Sequence, residues 1–154
     1  MEWRVDWFEE VNHYESVENA AKQLRDILGE TPILFTFRTA KEGGERAIEP
    51  DEYVELNEKI AKSGYVDLVD VEAFIGDTYV EKVVKTSHEC GVKVIASNHD
   101  FRKTPPKAEL ISRMRKMQEL GADIPKIAVM PQSTEDVLTL LSATEEMRRC
   151  YADR

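Results

Sequence analysis

Cysteine is scarce in this 154-residue chain, and its two copies, Cys90 and Cys150, stand in no metal-binding or redox spacing. They fit a reducing compartment better than a disulfide scaffold. No apolar run is long enough to span a bilayer, and no signal-peptide pattern opens the chain. A cytoplasmic protein with no membrane partner is the expectation. Positive charge is also short. Lys and Arg number 21 against 30 Asp and Glu, for a net charge of −9 and a sequence pI of about 4.9. That argues against a nucleic-acid or anionic-membrane surface. It leaves room for a small anionic substrate in a local Arg/Lys pocket. Apolar residues are not lacking: at 42% they exclude disorder, and the length suffices for one domain, 1–154, with a real core.

Five short apolar segments carry the clearest pattern: Glu2 to Asp6, Ile33 to Arg38, Val66 to Phe74, Val92 to His99 and Lys126 to Met130. Successive side chains of a strand point to opposite faces. On that alternation Glu2, Arg4, Arg38, Asp70, Glu72, His99 and Lys126 share one face. Trp3, Val5, Phe35, Phe37, Val69, Val71, Val94, Ala96, Ile127 and Val129 share the other. Charge repeated on one face of apolar strands is costly unless it is paired or does chemistry.

Helical patterns fill the intervals. Val17 to Leu28 ends at Gly29, and Pro50 opens a second helix that stops before Gly64. A third holds Val80, Val83 and Val84 before Gly91, and a fourth follows Pro105 and Pro106 and ends at Gly121. Ser133 with Asp136 reads as a capping box for a fifth, with Val137, Leu140, Leu141, Thr144 and Met147 on its apolar face. Strand then helix, five times over, implies an α/β fold with a parallel sheet. An open doubly wound sheet and a (β/α) barrel both fit. No Gly-rich phosphate loop follows the first strand, which weakens the first. A repeatedly polar face favours the second, because an open sheet covered by helices has two apolar faces. A barrel has eight strands. The expectation is an incomplete TIM-type barrel of about five βα units out of eight.

Several residues on or near the polar face could carry chemistry. Lys126 could form an imine, which needs the neutral amine, and nearby cations such as Arg4 and Arg38 would favour that form. It could equally be a lysine entering a strand from solvent. His99, in Ser97-Asn98-His99-Asp100-Phe101, falls at a strand's C-terminal end, where barrel active sites lie. It suits proton transfer near neutrality, or it is a histidine satisfied by local hydrogen bonds. His13 and His88 read as surface. Glu42, in a loop with Gly43-Gly44, could orient His99 as a carboxylate orients imidazole in a triad, or belong to a charged surface loop. The two glycines would permit close approach of a ligand. Glu2 and Arg4 read either as contacts to substrate hydroxyls or as a structural salt bridge. Asp70 and Glu72 read as internal partners of Arg4, Arg38 or Lys126, or as functional groups.

Taken in order, these motifs resemble one family over essentially the whole chain. Glu2-Trp3-Arg4-Val5-Asp6, Phe35-Thr36-Phe37-Arg38, Glu42-Gly43-Gly44, Asp70-Val71-Glu72, Ser97 to Phe101, Lys103-Thr104-Pro105, Pro125-Lys126-Ile127-Ala128, Met130-Pro131-Gln132 and Tyr151-Ala152-Asp153-Arg154 look like type I 3-dehydroquinate dehydratase of the shikimate pathway. The resemblance implies a (β/α)₈ barrel, commonly a dimer, that needs no metal or cofactor. It implies a lyase acting on 3-dehydroquinate. Lys126 matches the Schiff-base lysine, His99 the general acid/base and Glu42 the carboxylate that positions it. Glu2, Arg4 and Arg38 match substrate contacts. Asp70 and Glu72 receive no role.

The chain departs from the family pattern at both ends. The resemblance implies that the first barrel strand and the last two lie outside these 154 residues, and with the last two the place where the family keeps an arginine for the substrate carboxylate. Two strand edges, near Trp3 and near Val129, should be open to pairing. An inactive barrel fragment that self-associates, and another Schiff-base lyase or aldolase on a similar barrel, stand as alternatives.

Overall fold

A computed structural model describes residues 1–152. Five strands alternate with five helices: β1 (Glu2–Arg4), α1 (Tyr14–Leu28), β2 (Leu34–Thr36), α2 (Pro50–Lys62), β3 (Leu68–Glu72), α3 (Asp77–Glu89), β4 (Lys93–Asp100), α4 (Lys107–Glu119), β5 (Ile124–Val129) and α5 (Thr134–Tyr151). Short 3₁₀ turns cover Val5–Trp7 and Ala40–Glu42.

The helix boundaries follow local chemistry. Pro50 occupies the first turn of α2, where its missing N–H costs nothing. Ser133 and Asp136 form a reciprocal capping box at α5. β5 begins earlier than its apolar run implies, at Ile124, so Pro125 lies inside the strand. Pro125 falls near the start of the strand, where a missing ladder donor is best tolerated; among the described residues β5 pairs with β4 alone. Of the Tyr151-Ala152-Asp153-Arg154 motif, Asp153 and Arg154 lie outside the described residues.

Every strand pair is parallel, and the spatial order is β1-β2-β3-β4-β5. This order decides between the two architectures. A doubly wound sheet reverses its strand order at a switch point. A sheet that advances one strand at a time, through right-handed crossovers, places every helix on one side. The core shows that consequence. Phe35, Phe37, Val69, Val71, Val94 and Ala96 from one strand parity share a single buried cluster with Val17 and Ala21 of α1, Tyr53 and Ile60 of α2, Val80 and Val83 of α3 and Met117 of α4. Each fully buried side chain of this size contributes about 1.5–3 kcal/mol. The other parity is left facing away from the helices, as in a barrel interior.

The far end differs. Leu110 and Met114 of α4 meet Ala143 and Met147 of α5 in a separate small cluster. Val137 and Leu141, expected on the buried face of α5, are exposed, as are Leu138 and Ile124. α5 packs against α4 through Ala143 and Met147, with Leu140 and Tyr151 at the edge of the same cluster, and Val137, Leu138 and Leu141 stay outside it. No helix among the described residues is long and apolar enough to cross a membrane.

Candidate active site

Register brings the polar parity together. Thr36 lies opposite Asp70, Glu72 opposite Ser97, and Ser97 opposite Lys126. Four neighbouring strands therefore aim hydroxyl, carboxylate and amine groups at one inner surface.

Arg38, just past β2, is 4% exposed and has matched partners. Nη2 donates to Asp70 Oδ1 at 2.7 Å, and Nη1 donates to Glu72 Oε1 at 3.2 Å and Ser97 Oγ at 2.9 Å. Ser97 Oγ in turn donates to Asp70 Oδ1 at 2.5 Å. Glu72 Oε1 accepts from the Thr39 N–H, and Oε2 from the Thr39 hydroxyl, both at 2.8 Å. Burial pushes the Glu72 carboxyl above its ordinary value, with the Thr39 bonds and Arg38 opposing and the nearby Glu42 charge reinforcing it. This is a buried ion cluster in which charge and hydrogen bonding are both satisfied, the condition for such a cluster to persist.

Lys126 meets that cluster at its edge. Its Nζ donates to Asp70 Oδ2 at 3.2 Å, and 37% of its side chain remains accessible. The cations expected to stand near it are spoken for. Arg38 is neutralised by Asp70 and Glu72. Arg4 is clamped in a bidentate pair by Asp6, both bonds 2.7 Å. The neighbour that holds the Lys126 amine is an anion, not a cation. Burial opposes the Asp6 charge, but Arg4 and the N–H groups of Glu45 and Arg38 outweigh it and hold the carboxyl below its ordinary value. Glu2 accepts from Thr36 Oγ1 at 2.9 Å. Of the partners open to Asp70 and Glu72, Arg38 takes both, Lys126 takes Asp70, and Arg4 takes neither.

His99 lies near the C-terminal end of β4. Its Nδ1 is 2.9 Å from Glu42 Oε2, and its backbone N–H donates to the same oxygen at 3.1 Å. An ionised Glu42 can only accept, so Nδ1 carries a proton in this pairing, and in the neutral ring Nε2 keeps its lone pair. The ring stacks on Phe101 at 14° between planes. Glu42 reaches β4 because the chain after it doubles back. Gly43 sits at φ 82, and a Cβ there would meet the Phe101 ring at 2.5 Å. A Cβ on Gly44 would collide with the Arg38 carbonyl. The close approach that the glycine pair permits is thus of protein on protein, not of a ligand. A cavity of about 310 Å³ opens beside this pair, between Thr39, Glu42, Tyr53, Glu72, Phe74 and His99. His13 and His88 are both exposed, the His88 ring within hydrogen-bond distance of Asp123.

Sequence reasoning overlooked Asp6, Ser97, Asn98 and Arg113. Asp6 continues the alternation of Glu2 and Arg4, and Ser97 shares the parity of His99, so a signal existed for both. Asn98 has the opposite parity and Arg113 lies on a helix, so neither had one. No group of three or more His, Cys, Asp or Glu among the described residues is arranged to hold a metal ion.

The family model of type I 3-dehydroquinase matches residues 1–154. The chain belongs to that family. It is 57% identical, over all 154 residues, to the 3-dehydroquinate dehydratase of Escherichia coli O9:H4, strain HS. It spans 61% of that relative's length. Among solved structures, type I 3-dehydroquinate dehydratase from Clostridium difficile superposes with a TM-score of 0.97 at 55% identity, over 99% of this chain and 60% of that one. The Geobacillus kaustophilus 3-dehydroquinate dehydratase gives 0.95 at 46% identity, over 98% of this chain and 59% of that one. An archaeal fructose 1,6-bisphosphate aldolase gives 0.58 at 16% identity, a likeness of fold alone. Family membership and sheet order together place the five βα units of this chain as consecutive members of a TIM-type barrel.

Proposed function

We propose that this chain carries the imine-forming and proton-transferring part of a 3-dehydroquinate dehydratase, acting in the cytoplasm as a homodimer and needing no metal or cofactor. The observation that carries this reading is the placement of His99, fixed by Glu42 at 2.9 Å, on the same face as Lys126 of the adjoining strand.

The chemistry follows from those atoms. Lys126 Nζ, once it has given up its proton, attacks the ketone carbon of 3-dehydroquinate, and loss of water leaves an iminium ion. His99 Nε2 takes a proton from C2, and the released electron pair runs into the imine nitrogen. The resulting enamine expels the C1 hydroxyl, which leaves as water with the proton from His99. Hydrolysis of the imine frees 3-dehydroshikimate and the lysine. The covalent step supplies an electron sink, and so divides one difficult elimination into easier ones. Glu42 keeps the His99 proton on Nδ1. Glu2 and Arg4, at the same inner surface, contact substrate hydroxyls. Arg38, held beneath that surface by Asp70, Glu72 and Glu42, orients the groups that face substrate.

Borohydride reduction in the presence of 3-dehydroquinate tests this. The expected result is a stable mass adduct on Lys126. Recovery of unmodified protein, with the label absent from Lys126, would reject the imine chemistry. An adduct without turnover would assign the nucleophile to this chain and a needed substrate contact to a segment outside it.

A further inference from the structure

Asn98 stands where a polar residue should not. It shares the outward parity of Val94 and Ala96, facing the helix layer, and is only 9% exposed. Both ends of its amide are nevertheless engaged. Its Nδ2 donates to Glu42 Oε1 at 3.0 Å. Its Oδ1 accepts from Arg113 Nη1, on α4, at 2.9 Å. The chemistry leaves no ambiguity about the amide's orientation, because an arginine can only donate and an ionised carboxylate can only accept. Arg113 is itself held by Glu109 of α4 and lies over the Phe74 ring, 6.0 Å from its centroid. A continuous path thus runs from Arg113 through Asn98 and Glu42 to His99 Nδ1, crossing from the helix layer to the inner face at the end of β4.

We infer that Asn98 and Arg113 are positioning residues for the Glu42–His99 pair. Glu42 has two oxygens, and only Oε2 serves the histidine. Asn98 occupies Oε1 and so fixes the rotation of the carboxylate, which in turn keeps the ring proton on Nδ1. Arg113 anchors Asn98 from the far side and directs positive charge along the amide dipole toward Glu42. The other charged groups facing the pair are Arg38, 3.8 Å from Glu42 Oε2, Glu72 across the adjoining cavity, and Lys126 on the same face of β5. None of them contacts Glu42 Oε1, which makes the Asn98 contact distinct.

The inference rests on the proposed role of His99, and its test is kept separate from turnover. The whole chain, labelled with ¹⁵N-histidine, is observed by long-range ¹H–¹⁵N correlation at a pH where the His99 ring is neutral. The wild-type ring should show one tautomer, with the proton on Nδ1. In Asn98→Ala the two ring nitrogens should move toward each other as tautomers mix. Arg113→Gln should do the same to a smaller extent, and Arg113→Lys, which keeps a donor, should restore the wild-type signature. Where turnover is present, Asn98→Ala should lower kcat about tenfold with KM little changed, a fraction of what a positioned acid/base supplies. A folded Asn98→Ala chain with the wild-type signature overturns the inference. If Asn98→Ala fails to fold, an unchanged signature in Arg113→Gln overturns it. Failure of the dehydratase reading is registered elsewhere, by the absence of a Lys126 adduct in the wild-type chain.

Discussion

The interior of the sheet and its β5–α5 margin are built on different principles. Between β2 and β4 the inner face is a closed network, in which Arg38, Asp70, Glu72, Ser97 and Thr39 satisfy one another in near-complete burial. The outer face of the same strands is continuous with the main core. At the margin no β5 residue is fully buried, and α5 is tied on by a four-residue cluster. The two halves of the proposed chemistry fall on either side of this divide. His99 and Glu42 belong to the interior, and Lys126 belongs to the margin. The proposed acid/base is therefore held by several hydrogen bonds, while the proposed nucleophile has its contact to Asp70 and a partly exposed side chain. A group that must attack a carbonyl and then be released by hydrolysis gains from that freedom, whereas a proton-transferring ring gains from a fixed tautomer.

The largest effects should separate the two halves chemically. Lys126→Ala should abolish the borohydride adduct altogether. His99→Ala should retain the adduct while elimination falls by about 10²–10⁴-fold. Mass spectrometry with a turnover assay distinguishes them, and loss of the adduct in both would merge the halves.

Next in size is Arg38→Met. It leaves buried Glu72 without a cation and Asp70 with Lys126 alone, and should cost about 3–5 kcal/mol by chemical denaturation. A cost below about 1 kcal/mol would show the interior network to be dispensable. Met147→Ala, in the small cluster at the margin, should cost about 2 kcal/mol, because one residue supplies much of what holds α5.

Acid should distinguish the regions by sign. Asp123 precedes β5. Burial opposes its charge, but Lys93, the Val94 N–H and His88 outweigh it and bring the carboxyl down to about 2 from an ordinary 3.8. Its stabilisation is present above the ordinary value and is lost as pH falls toward 2. Glu72 is raised instead, so its contribution is present below its ordinary value and is lost as pH rises through the folded one. Amide exchange between pH 4 and 2 should therefore accelerate around β5 relative to the strand that carries Glu72. Asp123→Asn should remove that pH dependence; uniform loss of protection across the sheet would contradict it. The smallest effect belongs to Leu141→Glu, on the exposed face of α5, which should change stability by no more than about 0.5 kcal/mol. A larger loss would mean that this face is covered in solution.

Much of this was legible in the chain. Alternation in the strands assigned Glu2, Arg4, Arg38, Asp70, Glu72, His99 and Lys126 to one face, because side-chain direction in a strand has a strict period of two. Proline, glycine and the Ser133–Asp136 box marked the helix ends, since those signals act within one turn. What escaped was pairing at a distance. Whether Lys126 meets Asp70 or Arg4, and whether Asn98 touches Glu42, depends on contacts between residues that alternation and capping do not relate. The apolar face of α5 was misread for a similar reason: periodicity shows which residues could be buried, and only the neighbours present decide which are.

By itself, then, the sequence determined the element order, the parallel sheet, the polar inner face and the residues able to do chemistry. These follow from local stereochemistry and from the period of hydrophobic burial. Tertiary structure alone decided that the strands run in unbroken order. It also decided that the glycine pair turns Glu42 onto His99, that Asp70 holds Lys126, and that Asn98 links an outer helix to the inner face. Each of those is a contact between segments far apart in the chain, selected by the joint requirement that buried charges and amides find partners.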